Sequence, residues 1–77
     1  MNTQQLREST EYTEACRKIN SYRKGFRFTI PYYKMTTGQK NAMRIIISDC
    51  EKQGLIRSVA MGISLGLDIT EETFERI

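Results

Sequence analysis

The chain has 77 residues with a net charge of +3, and 39% of its residues are hydrophobic and 27% charged. These values are typical of one small globular domain and exclude a disordered chain. The sequence contains no histidine, which excludes histidine-based catalytic relays and metal sites. We therefore expect a single domain over residues 1–77, with no bound metal ion and no cofactor.

The sequence predicts no contact with a membrane. Residues 2–14 are polar and carry no targeting signal. The longest apolar runs, such as residues 45–47, are far shorter than the ~20 residues that a membrane-spanning helix needs. The two cysteines, Cys16 and Cys50, fall on apolar faces of predicted helices, which favours buried thiols over a disulfide. We therefore expect a cytoplasmic protein.

The first part of the chain predicts a long helix followed by a short strand. Asn2 can cap the helix, an apolar stripe recurs at spacings of three and four residues, and Gly25 is a natural C-terminal residue. This helix is predicted over residues 3–24. Residues 26–30 alternate between apolar and polar side chains, which indicates a strand that Pro31 ends.

The second helix has the clearest signal. Thr36 or Thr37 can cap it, an apolar stripe follows, and Gly54 can end it. The pattern predicts a helix over residues 37–53.

Residues 55–69 fit two different structures. Apolar side chains occupy every second position from Val59 to Ile69, as in a strand or a hairpin. The same residues also give a helix an apolar face, although each interior glycine costs about 1 kcal/mol. Because no hairpin-type turn dipeptide separates the two halves, we favour a helix over residues 55–65. The strand or hairpin remains the alternative.

The C-terminal residues carry a helix-start pattern. Thr70 can act as the cap, and Ile69 and Phe74 occupy the positions of a hydrophobic staple. The predicted fold class is therefore mainly α, with three to four short helices and one strand-like segment at about residues 26–30. The alternative is an α+β fold in which residues 55–69 form one or more strands.

Charge is distributed unevenly along the chain. Residues 15–48 contain eight cations, five aromatic residues and no acidic residue, whereas the rest of the chain contains four cations and nine acidic residues. Cations interleaved with aromatic rings suit phosphate contact and base stacking. The alternative is a solvated basic face with the aromatic rings in the core. The candidate anion-binding residues are Arg17, Arg23, Lys24, Arg27, Lys34, Lys40 and Arg44, and the candidate stacking or interface residues are Tyr32 and Tyr33.

Residues 51–56 (EKQGLI) resemble the point in winged-helix DNA-binding domains where the recognition helix ends and a wing strand begins. The resemblance implies a helix that ends near Gly54, a strand directly after it, and DNA as the partner. The chain departs from that family because only two predicted helices precede Gly54. It also lacks a basic wing, since Arg57 is the only cation between residues 55 and 73.

These features predict a small non-enzymatic binding or regulatory protein whose basic, aromatic-rich middle segment engages a polyanionic partner, with nucleic acid favoured. One alternative is a protein-interaction module, a regulator or inhibitor that docks on an acidic protein surface. Another is a binder of a small phosphorylated nucleotide. Most carboxylates lie at predicted helix ends, where caps and helix dipoles explain them, so catalysis is not indicated. The strand at residues 26–30 lacks a predicted partner, so we also expect a homodimer or larger symmetric oligomer.

Overall fold

The computed structural model describes residues 2–66 and 68–77, which form an α+β fold of three α-helices and a three-stranded antiparallel sheet. The prediction of a mainly α fold is therefore wrong. The helices and strands are α1 (Thr3–Arg7), α2 (Thr10–Ser21), β1 (Arg27–Ile30), α3 (Thr37–Lys52), β2 (Ile56–Ile63) and β3 (Ile69–Arg76), and a 3₁₀ turn (Tyr32–Lys34) precedes α3.

The central strand of the sheet is β3, and the strand order is β1-β3-β2. On one side Phe28 of β1 lies opposite Phe74, and on the other side Ser58 of β2 lies opposite the same residue. The strand expected at residues 26–30 is confirmed, but its partner lies within the chain. The reason for expecting a dimer through this strand is thereby removed.

The core lies between the helices and one face of the sheet. Phe74 is 0% exposed, and Phe28 and Ile30 pack against the same cluster from β1. Because side chains alternate along a strand, Arg27 and Thr29 project from the opposite face of the sheet. The buried cluster consists of Ile19, Ile46, Ile47, Cys50, Ile56 and Phe74.

The N-terminal segment contains two helices where the sequence predicts one. The Ser9 hydroxyl accepts a hydrogen bond from the backbone N–H of Tyr12 at 3.2 Å and donates one to the carbonyl oxygen of Leu6 at 2.6 Å. Serine thus satisfies backbone groups that a continuous helix would pair internally. Ser9 caps α2, and the break brings Leu6 into a buried position.

The helix predicted over residues 37–53 is confirmed as α3. Thr36 and Gln39 form a reciprocal capping box at its start. Gly54 follows its end with φ of 73°, a conformation that glycine adopts without steric cost. Because β2 begins at Ile56, a strand follows the helix as the resemblance of residues 51–56 implies.

The helix favoured over residues 55–65 and the terminal helix after Thr70 are both wrong. The first segment forms β2, as the alternative assignment had it, and the second forms β3. Local capping signals favour helix in β3, but pairing with two strands and burial of Phe74 outweigh them. Leu67, part of the alternating pattern, lies outside the described residues.

Within residues 2–66 and 68–77, no helix combines the length and the apolar composition that crossing a membrane would require. No group of three or more cysteine, aspartate or glutamate side chains is placed to hold a metal ion among these same residues.

Candidate nucleic-acid interface

One side of α3 is open to solvent and carries polar side chains. Contacts of Ile46, Ile47 and Cys50 with the core fix the rotation of the helix about its axis. Residues three and four positions apart share a helix face, so the side opposite the core can be read from the sequence. That side carries the exposed residues Thr37, Asn41, Arg44 and Glu51 and the half-buried Ser48.

The 3₁₀ turn lies beside the middle of α3. The guanidinium carbon of Arg44 lies 5.7 Å from the centre of the Tyr32 ring, and the Lys34 Nζ lies 5.6 Å from the centre of the Tyr33 ring. Lys40 stands one turn before Arg44 on the same side of the helix. We call the surface formed by Tyr33, Lys34, Lys40, Asn41 and Arg44 the α3 face.

The two tyrosines that the sequence singles out have different environments. Tyr32 is 2% exposed, whereas Tyr33 is 58% exposed. Burial raises the pKa of Tyr32, and the negative charge of Glu72 raises it further. The Tyr32 ring therefore supports Arg44 from inside the protein and has no free surface for base stacking. Tyr33 is the tyrosine of this pair that can reach a ligand.

Arg27 lies on the other face of the sheet from α3. Its Nη2 atom is 3.6 Å from the Oε2 atom of Glu75, and the Nη2 atom of Arg57 is 3.1 Å from the same oxygen. A threonine pair beside them, Thr29 and Thr73, shares a hydrogen bond of 2.8 Å between hydroxyls. The predicted role of Arg27 in anion binding would therefore use a surface separate from the α3 face.

Three more predicted cations lie at the end of the sheet where β3 finishes. Arg17 is exposed on α2, and Arg23 and Lys24 are exposed in the turn before β1. The backbone N–H of Gly25 in this turn donates to the carbonyl oxygen of Arg76 at 2.7 Å. The four residues of β1, about 13 Å of strand, separate the turn that contains Arg23 and Lys24 from the 3₁₀ turn. Of the seven predicted anion-binding residues, Lys40 and Arg44 lie on α3 and Lys34 lies in the 3₁₀ turn that precedes it.

The cations of the α3 face carry no ion pair within residues 2–66 and 68–77. The salt bridges there use Arg7, Arg27 and Arg57. Lys34, Lys40 and Arg44 are therefore not held in salt bridges there, and their charged groups remain available to an anionic ligand.

Asp49 of α3 accepts hydrogen bonds from both N-terminal helices. Arg7 donates to both carboxylate oxygens at 2.9 Å, and the Tyr12 hydroxyl donates to Oδ2 at 2.6 Å. The Arg7 hydrogen bonds, followed by that of Tyr12, lower the pKa of Asp49 to about 2. This network joins α1 and α2 to α3 and thereby positions the α3 face.

A cavity of about 540 Å³ lies between α1 and the first half of α3. Its lining includes the apolar side chains of Leu6, Ala42 and Ile45, and Glu11 is its one charged residue. A phosphate group would meet no cation there. The cavity therefore gives no support to the prediction of a phosphorylated nucleotide as ligand.

The hairpin of β2 and β3 exposes apolar side chains, whereas the α3 face is polar and basic. Its side chains Met61, Ile63 and Leu65 are 48%, 58% and 106% exposed, and we call these three residues the hairpin tip. Residues 58–75 contain four acidic residues and no cation. The hairpin tip therefore presents apolar side chains within an acidic part of the chain.

Sequence reasoning missed Asn41 and Ser48, which share the exposed side of α3 with Arg44. Their spacing of three and four residues from Arg44, complementary to the apolar stripe, was the signal that could have found them. Comparison of the chain with protein-family models, curated proteins and solved structures finds no match.

Proposed function

We propose that the protein is a non-enzymatic binding protein that binds nucleic acid, and specifically duplex DNA, through the α3 face. The observation that carries this proposal is the group of three cations that form no salt bridge within the described residues, beside a stretch of α3 from Thr37 to Ser48 that contains no acidic residue. Phosphate contacts from such cations supply most of the affinity of proteins for DNA.

The dimensions of α3 suit the major groove. An α-helix with its side chains is about 10–12 Å wide, and the major groove of B-DNA is about 12 Å wide. Arginine and asparagine side chains pair with guanine and adenine edges there, so Arg44 and Asn41 are the residues that would contact bases. Lys34 and Lys40 would contact phosphates, and Tyr33 would pack against the sugar–phosphate backbone.

The succession of helix and hairpin also supports this proposal. Residues 51–56 resemble the junction of recognition helix and wing strand in winged-helix DNA-binding domains, and α3 is followed by β2 at that point. The absence of cations in residues 58–75 means that the hairpin would contribute little to phosphate binding. The affinity would therefore depend on α3 and the 3₁₀ turn.

Fluorescence anisotropy with labelled duplex and single-stranded DNA tests the proposal. The combined variant Lys34→Gln, Lys40→Gln, Arg44→Gln should bind duplex at least about 10-fold more weakly, since each phosphate contact contributes to affinity. The control variant Lys18→Gln, Arg23→Gln, Lys24→Gln removes the same charges elsewhere and should lose much less. Equal losses in both variants, or tighter binding of single strands, would contradict the proposal.

A protein-interaction module is the second candidate function, and the hairpin tip favours it. Exposed clusters of large apolar side chains mark protein-binding surfaces more often than inert surface. Pull-down with and without nuclease distinguishes the two candidates. Partners lost after nuclease treatment support nucleic acid, whereas partners retained by the wild type and lost by Leu65→Ser support a protein ligand.

A homodimer or larger symmetric oligomer remains part of the proposal, independently of DNA binding. It no longer has a strand-pairing argument, because β1 pairs with β3. Light scattering decides it, with the 9.0 kDa mass of one chain as the reference. A cytoplasmic location agrees with the two free cysteines.

A further inference from the structure

The two cysteines of the chain lie on the sides of α2 and α3 that pack on each other. The hydrogen bond of Tyr12 to Asp49 fixes the contact of the two helices. Cys16 stands one turn after Tyr12 on the same face of α2, and Cys50 directly follows Asp49 on α3. Cys50 belongs to the buried core, and Cys16 packs against that core. Cys16 is thus a neighbour of Cys50 across the helix interface.

The environments of the two thiols differ. Cys50 is 1% exposed, and burial, followed by the neighbouring Cys16, raises its pKa to about 11. Cys16 is half-buried and lines a shallow cavity of about 350 Å³ together with Arg17 and Asn20. The half-buried Cys16 is open to solvent through this cavity, whereas the Cys50 thiol is enclosed in the core. Cys16 is therefore the thiol that a small oxidant reaches first.

We propose that Cys16 and Cys50 form a peroxide-sensitive dithiol pair, in which Cys16 is the reacting thiol and Cys50 the resolving thiol. The Cys16 thiolate attacks one oxygen of a hydroperoxide, the O–O bond breaks and hydroxide leaves, which forms a sulfenic acid. The Cys50 sulfur then attacks the Cys16 sulfur. The S–O bond breaks, and the hydroxyl group leaves as water with the proton of Cys50.

The net reaction oxidises two thiols to one disulfide and reduces one hydrogen peroxide to two molecules of water. Thiol reductants reverse it by exchange. The disulfide would join α2 to α3 across a loop of about 35 residues, and a crosslink of this span should raise the unfolding temperature of a domain of this size by about 15–30 °C. The rise should disappear after reduction with dithiothreitol.

Intact-mass measurement of the full chain after exposure to about 1 mM hydrogen peroxide tests the pair. We expect a monomer that has lost two hydrogen atoms and regains them with dithiothreitol, with one Cys16–Cys50 peptide after proteolysis. Cys50→Ser should accumulate a sulfenic acid that dimedone traps, whereas Cys16→Ser should give no adduct. Disulfide-linked dimers, a Cys16 sulfinic acid, or unchanged thiols in the wild type would each overturn the proposal.

A second measurement uses only the wild-type protein and does not depend on how the variants fold. Iodoacetamide alkylation followed by peptide mapping should label Cys16 at least about 10-fold faster than Cys50, because thiolate character and access set the rate. Equal labelling rates, or faster labelling of Cys50, would overturn the assignment of the reacting thiol.

Discussion

Replacement of Asp49 by asparagine tests whether the ion-pair network positions the N-terminal helices on α3. The side chain of Asp49 is 12% exposed and accepts hydrogen bonds from Arg7 and Tyr12, which belong to α1 and α2. Asparagine keeps the size of the side chain and a carbonyl oxygen for Tyr12. It removes the charge that Arg7 binds.

The size of the effect follows from the pKa of Asp49, which falls from 3.8 to about 2 on folding. Each unit of pKa difference corresponds to about 1.4 kcal/mol, which gives about 2.5 kcal/mol as an upper value. Because Arg7 is 48% exposed, solvent screening reduces the contribution to about 1–2 kcal/mol. A lowered pKa in the folded state means that this stabilisation is complete above about pH 5 and is lost as the pH falls towards 2.

Urea unfolding followed by circular dichroism measures the free energy of unfolding across this range. We expect Asp49→Asn to be less stable than the wild type by about 1–2 kcal/mol at neutral pH. The difference should shrink towards zero at about pH 2. Glu14→Gln, which removes an exposed carboxylate of α2, is the control and should leave the pH profile unchanged. An Asp49→Asn variant with the full acid sensitivity of the wild type would refute the reasoning.

Three further predictions concern stability and use the same urea assay. Phe74→Ala should lower the free energy of unfolding by about 3–5 kcal/mol because the ring is fully buried in the central strand. Phe26→Ala, at a position that is 40% exposed, should lower it by about 1 kcal/mol or less. Similar losses in the two variants would contradict the position of β3. Gly54→Ala should destabilise the protein by about 1 kcal/mol because the φ of Gly54 is 73°. Gly38→Ala should stabilise it by about 0.5–1 kcal/mol, since the added methyl group meets open space on α3. Stability changes of the same sign in the two variants would contradict this contrast. Leu65→Ser should change stability by less than about 0.5 kcal/mol, and a larger loss would show that the hairpin tip is buried.

The helix α3 was predictable because independent local signals agree on it. The cap at Thr36, the apolar stripe and the glycine at position 54 all lie within or next to the helix itself. The strand β3 was not predictable in the same way. Its sequence starts with the capping pattern of Thr70 and depends on pairing with β1 and β2, which are distant in sequence.

The position of the basic segment was predictable, but the arrangement of its side chains was not. The acid-free stretch of residues 15–48 is visible in the sequence. Alternation along β1 places Arg27 on the far face of the sheet, where Glu75 and Arg57 surround it. Burial of Tyr32 likewise depends on the packing of the 3₁₀ turn against β3 and not on any local pattern.

The salt dependence of duplex binding tests the central claim most directly, because it counts the phosphates that the protein neutralises. If Lys34, Lys40 and Arg44 make the contacts, the logarithm of the association constant should fall with the logarithm of salt concentration at a slope of about −3. The variant with all three replaced by glutamine should give a slope near zero. The charge-matched variant with Lys18, Arg23 and Lys24 replaced should keep a slope of about −3. An unchanged slope in the first variant, or a slope flattened equally in both, would contradict binding through the α3 face.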